Sequence, residues 1–261
     1  IAEKATKDYG VYFKGSEVIV LPGAKSAIFM ALSAVLEPFD EIINITPCYV
    51  SYPSMIKIAE PSALILNAPL NKDFNIKINE LKKLISKNTK CILLNTPHNP
   101  TGYVFSRGEV EDIIKLCLEN NVYIISDEIY DKLIYRKSEH ISFAEYPEIK
   151  EKLIIINGYS KSYAMTGWRL GYAIAPAEII SRMNKLQQHI NTNTCTFIQK
   201  GACSIYKNEP LHLPPYVNEI EKRASFFHNE INKGNMLKGI MPKAGFFYFA
   251  DIYATGMNSN N

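Results

Sequence analysis

The chain has 261 residues, of which 47% are hydrophobic and 21% charged: enough apolar material for a packed core, and too much for a disordered chain. Its 29 basic and 26 acidic residues are intermixed and leave a net charge of +3, so no nucleic-acid or anionic-membrane partner is expected. No apolar run reaches the ~18 residues of a membrane span, and five scattered cysteines without a CxxC pair, with no HExxH among the histidines, argue for a reducing cytoplasmic compartment and against a metal site.

The chain opens at Ile1 with Glu3, Lys4 and Lys7 following, which is no secretory signal and reads as a processed start or a fragment. A first strand is predicted over 17–21. A helix over 24–36 follows, with Ile28, Ala31, Leu32 and Val35 on one stripe. Strands are predicted over 41–46, 63–67 and 91–95. Ser106 and Glu109 form a capping box ahead of a helix over 109–121, whose apolar face is Val110, Ile113, Ile114 and Leu118. Strands over 122–127, 153–157 and 170–175 complete a set of seven. Most are nearly all apolar rather than alternating, as strands covered on both faces are. Strands alternating with helices predict an α/β fold with a mostly parallel seven-stranded sheet covered by helices. Beyond Pro176 helices are predicted over 177–190, 196–207 and 216–233. The last carries Val217, Ile220, Ala224, Phe227 and Ile231 on one face. The apolar run 246–252 reads as a strand opening a second, partial α+β domain, which stops in Asn258-Ser259-Asn260-Asn261. The expected division is a large domain over 11–190, with 1–10 and 191–261 as connecting helices and an incomplete small domain.

In an open parallel sheet, ligands bind beyond the carboxyl ends of the strands. Strand 91–95 is followed by Thr96-Pro97-His98-Asn99-Pro100-Thr101-Gly102, and strand 122–127 ends in Asp127-Glu128-Ile129-Tyr130. Strand 153–157 leads into Gly158-Tyr159-Ser160-Lys161 and then Ser162 to Arg169. Taken singly, Asn99 to Gly102 is a good turn, Asp127 a helix cap, Lys161 a solvated lysine, and Tyr49 and Tyr52 partly buried aromatics. Gly23-Ala24-Lys25-Ser26 fails the phosphate-loop pattern, because Ala24 stands where glycine must precede the lysine, and no GxGxxG occurs. Jointly, the amide, carboxylate, phenol, amine and guanidinium at successive strand ends suit an anionic, planar, polar ligand.

The ordered set Pro22-Gly23-Ala24-Lys25, Asn99-Pro100-Thr101-Gly102, Asp127-Glu128-Ile129-Tyr130 and Ser160-Lys161 through Gly167-Trp168-Arg169-Leu170-Gly171-Tyr172 resembles the class I aminotransferases of the class I/II group. These are pyridoxal 5'-phosphate (PLP) enzymes of the aspartate aminotransferase fold, fold type I. The resemblance runs from about Glu17 to Ile252. It implies that Lys161 is the lysine that bonds covalently to the cofactor, a role that suits an amine able to act as nucleophile and then as base. It implies that Asp127 pairs with the pyridine nitrogen, that Tyr130 and Asn99 hydrogen-bond the ring's phenolic oxygen, and that Tyr49 lies over the ring. Gly23, the backbone N–H groups of Ala24 and Lys25, Ser160 and Arg169 are the implied phosphate site. Gly158 stands where the family usually carries a hydroxyl residue.

By the same resemblance the chain is expected to be short at both ends, without the arginine that pairs with a substrate's α-carboxylate. Arg107, Arg136, Arg169, Arg182 and Arg223 do not fall at that position. The implied reaction moves an amino group from an L-amino acid, aspartate or aromatic, to a 2-oxo acid such as 2-oxoglutarate, in a homodimer. The alternatives are a PLP-dependent carbon–sulfur lyase on the same fold and a PLP-binding but inactive truncated or regulatory module.

Overall fold

The computed structural model of the chain describes residues 1–257. Its centre is a seven-stranded sheet of β1 (Val18–Leu21), β2 (Glu41–Thr46), β3 (Leu64–Pro69), β4 (Thr89–Asn95), β5 (Tyr123–Asp127), β6 (Leu153–Gly158) and β7 (Gly171–Ile174). The spatial order is β1-β7-β6-β5-β4-β2-β3, and only β7 runs against the others. All seven predicted strands are present, within about two residues of the expected bounds.

Successive residues of a strand point to opposite faces, and both faces are covered. Ile42, Leu93, Ile125 and Ile154 enter one core, beneath α2 (Ala24–Val35) and α6 (Ala177–Ile190). Their neighbours Ile43, Ile92, Ile124 and Ile155 enter the other, beneath α5 (Arg107–Glu119). This double burial is why the strands lack alternation. The Ser106–Glu109 capping box is present, and it starts α5 two residues earlier than predicted.

Three helices escape the sequence reading: α1 (Ala2–Tyr9), α3 (Tyr52–Ala59) and α4 (Ile78–Leu84). All are eight residues or fewer, about two turns, too short for a repeated apolar stripe to stand out from the sequence. The helices expected over 196–207 and 216–233 are redrawn as α7 (Thr196–Ala202) and a long α8 (Ile205–Ile231), which runs through Pro214 and Pro215. Proline removes a helical donor, so the sequence suggests a break there. Packing of Leu213, Tyr216, Val217 and Ile220 against Ile129, Tyr130, Leu133 and Tyr135 carries the helix across it.

The strand expected over 246–252 is confined to β9 (Ala250–Asp251), paired with β8 (Lys238–Gly239). Phe246 and Phe247 do not alternate. Both rings lean on Tyr130, with centroids 5.6 and 6.2 Å away, a geometry closed to adjacent strand residues. The polar end at 258–261 lies outside the described residues. No helix among the described residues is long and apolar enough to cross a membrane.

Candidate active site

Parallel register aligns the strand ends: Asn95 lies beside Asp127, and Asp127 beside Ile156, so β4, β5 and β6 terminate along one edge. A cavity of about 280 Å3 opens there. It is lined by Ala24, Lys25, Tyr49, Asn99, Asp127, Tyr130, Ser160, Lys161 and Arg169, with Asn95, Ile28, Ile129, Thr166 and Phe247 between them. Nine of the ten expected site residues therefore share one cavity. The tenth, Gly23, stands behind it.

Asp127 forms the floor and is only 5% exposed. Its Oδ2 accepts a 2.7 Å hydrogen bond from the Tyr52 hydroxyl, and its Oδ1 a 3.2 Å bond from the backbone N–H of Ile129. Asn95 Nδ2 donates to the Asp127 carbonyl at 2.6 Å, while its Oδ1 accepts from the backbone of Asn99 at 2.6 Å. One amide thus ties the Asn99 turn to the end of β5. Burial pushes the Asp127 carboxyl up to about 6, opposed by donation from Tyr52 and Ile129, with Glu128 adding to the rise and Lys161 reducing it. Glu128 points away from the cavity, where its carboxylate meets Ser126 Oγ at 3.0 Å and His140 Nε2 at 3.2 Å.

The walls are aromatic and amide. Asn99 Nδ2 donates to the Tyr130 hydroxyl at 3.4 Å, and burial raises that phenol well above its ordinary value, so it remains a proton donor. Tyr49 is half-buried, and its ring meets Tyr52 edge-on at 5.6 Å. The Lys25 ammonium lies 5.4 Å from the centre of the Tyr49 ring. Burial raises the Tyr49 phenol, but hydrogen bonds with Ser51 and Lys25 outweigh it and bring the value below normal. Lys161 Nζ sits 5.2 Å from the Phe246 ring and has no hydrogen-bond or ion-pair partner among the described residues.

The rim is the start of α2 and the loop before β7. No side-chain hydrogen bond caps α2 among the described residues, which leaves the N–H groups of its first turn available, and Ala24 and Lys25 of that turn line the cavity. Gly23, at φ 93°, brings the chain into that turn, and a Cβ there would lie 2.8 Å from Arg169 Nη2. Gly171 permits a closer approach still: a Cβ would stand 2.5 Å from both Ala24 N and Gly23 C. Arg169 adopts a left-handed backbone (φ 52°), donates from Nη1 to the Thr166 carbonyl at 2.7 Å, and is exposed. One end of the cavity therefore offers helix N–H groups, the buried Ser160 and a guanidinium to an anion, and the other a buried carboxylate, with an unpaired primary amine between.

That donor set fits PLP: an anion cradle without intruding Cβ atoms, a free amine, and a desolvated carboxylate able to face a cationic ring nitrogen. Among the described residues no cluster of three histidine, cysteine or acidic side chains could hold a metal ion. Nothing in the sequence analysis assigns Tyr52, Asn95, Thr166 or Phe247 to the site. Asn95 carried a signal, a polar residue ending an apolar strand; Tyr52 and Phe247 carried none distinguishing them from core aromatics.

The fold and site together define a PLP-type transferase scaffold, and comparison with known proteins states the family. The sequence profile of the aminotransferase class I and II family matches residues 1–259, and the chain belongs to that family. It is 37% identical over 253 residues to an aspartate aminotransferase of Bacillus sp. (strain YM-2), across 97% of this chain. Among solved structures it resembles an aromatic aminotransferase from Pyrococcus horikoshii OT3, at TM-score 0.95 and 35% identity over 99% of this chain and 70% of that one. It also resembles an aspartate aminotransferase from Thermus thermophilus with maleate, at TM-score 0.89 and 30% identity over 96% of this chain and 65% of that one. The chain spans 64% of the length of the Bacillus relative.

Proposed function

We propose that this chain binds PLP in the cavity at the strand ends and carries the cofactor half of an aminotransferase acting on aspartate or an aromatic amino acid and a 2-oxo acid such as 2-oxoglutarate. The observation that carries the reading is the gathering of the Lys161 amine, the Asp127 carboxylate and the α2–Arg169 anion site around one cavity of about 280 Å3. The names of the relatives support the substrate pair. The relatives described above are named as aminotransferases, and nothing at the site favours the carbon–sulfur lyase reading.

PLP, when bound, delocalises the negative charge that develops as a proton leaves the substrate's α-carbon. The residues divide the remaining work. The first-turn amides of α2, Ser160 and the Arg169 fork hold the phosphate, an arrangement that fixes orientation as well as affinity. Asp127, shielded from water, pairs with the ring nitrogen and keeps its proton in place. Tyr130 and Asn99 orient the phenolic oxygen, and Tyr49 covers the ring face. Lys161, which has no hydrogen-bond or ion-pair partner among the described residues, would serve as nucleophile toward the bound cofactor and then as the base that moves the proton at the substrate's α-carbon.

In this reading residues 11–190 are the PLP-binding large domain, with 1–10 and 191–261 as connecting helices and part of a small domain. The working unit is a homodimer in the cytoplasm. The direct test is to load the purified chain with PLP, reduce it with borohydride and map the modified peptide. Modification of Lys161 supports the assignment; a label on Lys25 or another lysine overturns it.

A further inference from the structure

We infer that Tyr52 is a positioning residue for the proposed reaction: its hydroxyl, from behind the cavity floor, holds Asp127 in its ionised form. The inference rests on the reading that Asp127 faces the cofactor's ring nitrogen. Tyr52 opens α3, is 1% exposed, and does not line the cavity, so it touches neither substrate nor cofactor. It reaches Asp127 Oδ2 at 2.7 Å across 75 residues of sequence. Tyr49, three residues earlier, is on the cavity wall. The loop before α3 thus supplies one tyrosine to the cavity, and the first residue of the helix supplies another to the carboxylate of its floor.

A carboxylate this deeply buried takes up a proton unless donors offset its lost hydration. The groups facing Asp127 come from three elements. Tyr52 approaches from α3, Glu128 and Tyr130 from the turn after β5, and Lys161 from the turn after β6. Glu128 opposes ionisation, and Lys161 favours it only while that amine is protonated. Among the described residues the two hydrogen-bond donors to the carboxylate itself are the Ile129 backbone N–H, at 3.2 Å, and the Tyr52 hydroxyl. Asn95 spends its donor on the Asp127 carbonyl. Tyr52 is the shorter contact and the only one of the two that is a side chain. Burial and the Asp127 charge push its phenol well above the ordinary value, so it remains a donor at any pH at which the protein would work.

The test is a titration of the PLP-free chain with 13C at the Asp127 carboxyl carbon, in the wild type and in Tyr52→Phe, which keeps the ring and deletes the donor. A midpoint at least one pH unit higher in the variant, equivalent to a tenfold fall in the ratio of ionised to protonated Asp127 at neutral pH, is the expected result. A smaller rise overturns the inference. Should Tyr52→Phe fail to fold, the wild type alone decides: the 13Cζ resonance of Tyr52 must shift with the same midpoint as Asp127, and independence of the two overturns the coupling. Neither measurement uses PLP or turnover. Failure of the chain to take up PLP would therefore count against the proposed function and leave this titration standing.

Discussion

The floor and the rim of the cavity are built by opposite means. The floor is the end of a central strand. Asp127 is flanked by β4 and β6, almost dry, and its carboxylate is held by Tyr52 and Ile129 at the end of a regular strand. The rim is a helix start and a loop. Arg169 is exposed, sits in a left-handed conformation and leans against a glycine that no other residue could replace without strain. Each half therefore carries a different kind of cost. At the floor the cost is electrostatic, a carboxylate kept out of water. At the rim it is conformational, about 1–2 kcal/mol for a non-glycine residue in that backbone region.

Deleting the amine between the two is expected to have the largest effect. Lys161→Ala should leave no borohydride-stable adduct and should reduce transamination more than about 10⁴-fold. Substantial turnover in that variant would remove Lys161 from the chemistry.

The floor comes next. Asp127→Asn should cost roughly 10²–10³-fold in turnover, the scale of losing one preorganised electrostatic partner. It should also leave a thermodynamic mark without PLP. Burial lifts Asp127 from an ordinary 3.8 to about 6, so between those values the folded chain holds more protons than the unfolded one. Stability therefore falls as pH rises through that window, by on the order of 3 kcal/mol. The melting temperature of Asp127→Asn should gain on the wild type from about pH 4 to about pH 6 and then run parallel to it. A gap independent of pH would show that the charge of Asp127 is not the source of the cost.

The junction of floor and rim is Gly171. In Gly171→Ala the new Cβ would sit 2.5 Å from backbone atoms of Gly23 and Ala24, which cannot swing aside as a side chain does. A loss of about 1–3 kcal/mol in stability is expected, together with weaker PLP binding as the start of α2 shifts. Wild-type affinity would mean that the anion site does not depend on that contact.

The smallest effects belong to the rim. Arg169→Lys keeps the charge and loses the fork, so PLP affinity should fall about tenfold. Trp168, the chain's single tryptophan, adjoins Arg169 and should report binding through quenching of its fluorescence. Arg169→Gly should weaken PLP binding further while raising stability by about 1 kcal/mol through relief of the left-handed backbone. A destabilised Arg169→Gly would refute the assignment of strain to that residue.

Local pattern is enough to specify the sheet and most of the cavity. Apolar runs such as Leu153–Gly158 can lie nowhere but between two covering layers. A parallel sheet then gathers its strand ends on one edge, so the sequence alone groups Asn99, Asp127 and Lys161. What tertiary structure alone decided were features without local periodicity. The prolines of α8 argue locally for a break, and only packing against Tyr130 and Tyr135 overrides them. Phe246 and Phe247 have the composition of a strand, yet aromatic contacts to Tyr130 turn both rings the same way. Tyr52 looks from sequence like any half-buried aromatic. Its pairing with Asp127 spans 75 residues and exists only because α3, packed against α2, brings the Tyr52 hydroxyl to the end of β5. Local propensity acts over a few residues, whereas the electrostatics of a buried carboxylate are set by whatever distant group the fold places against it.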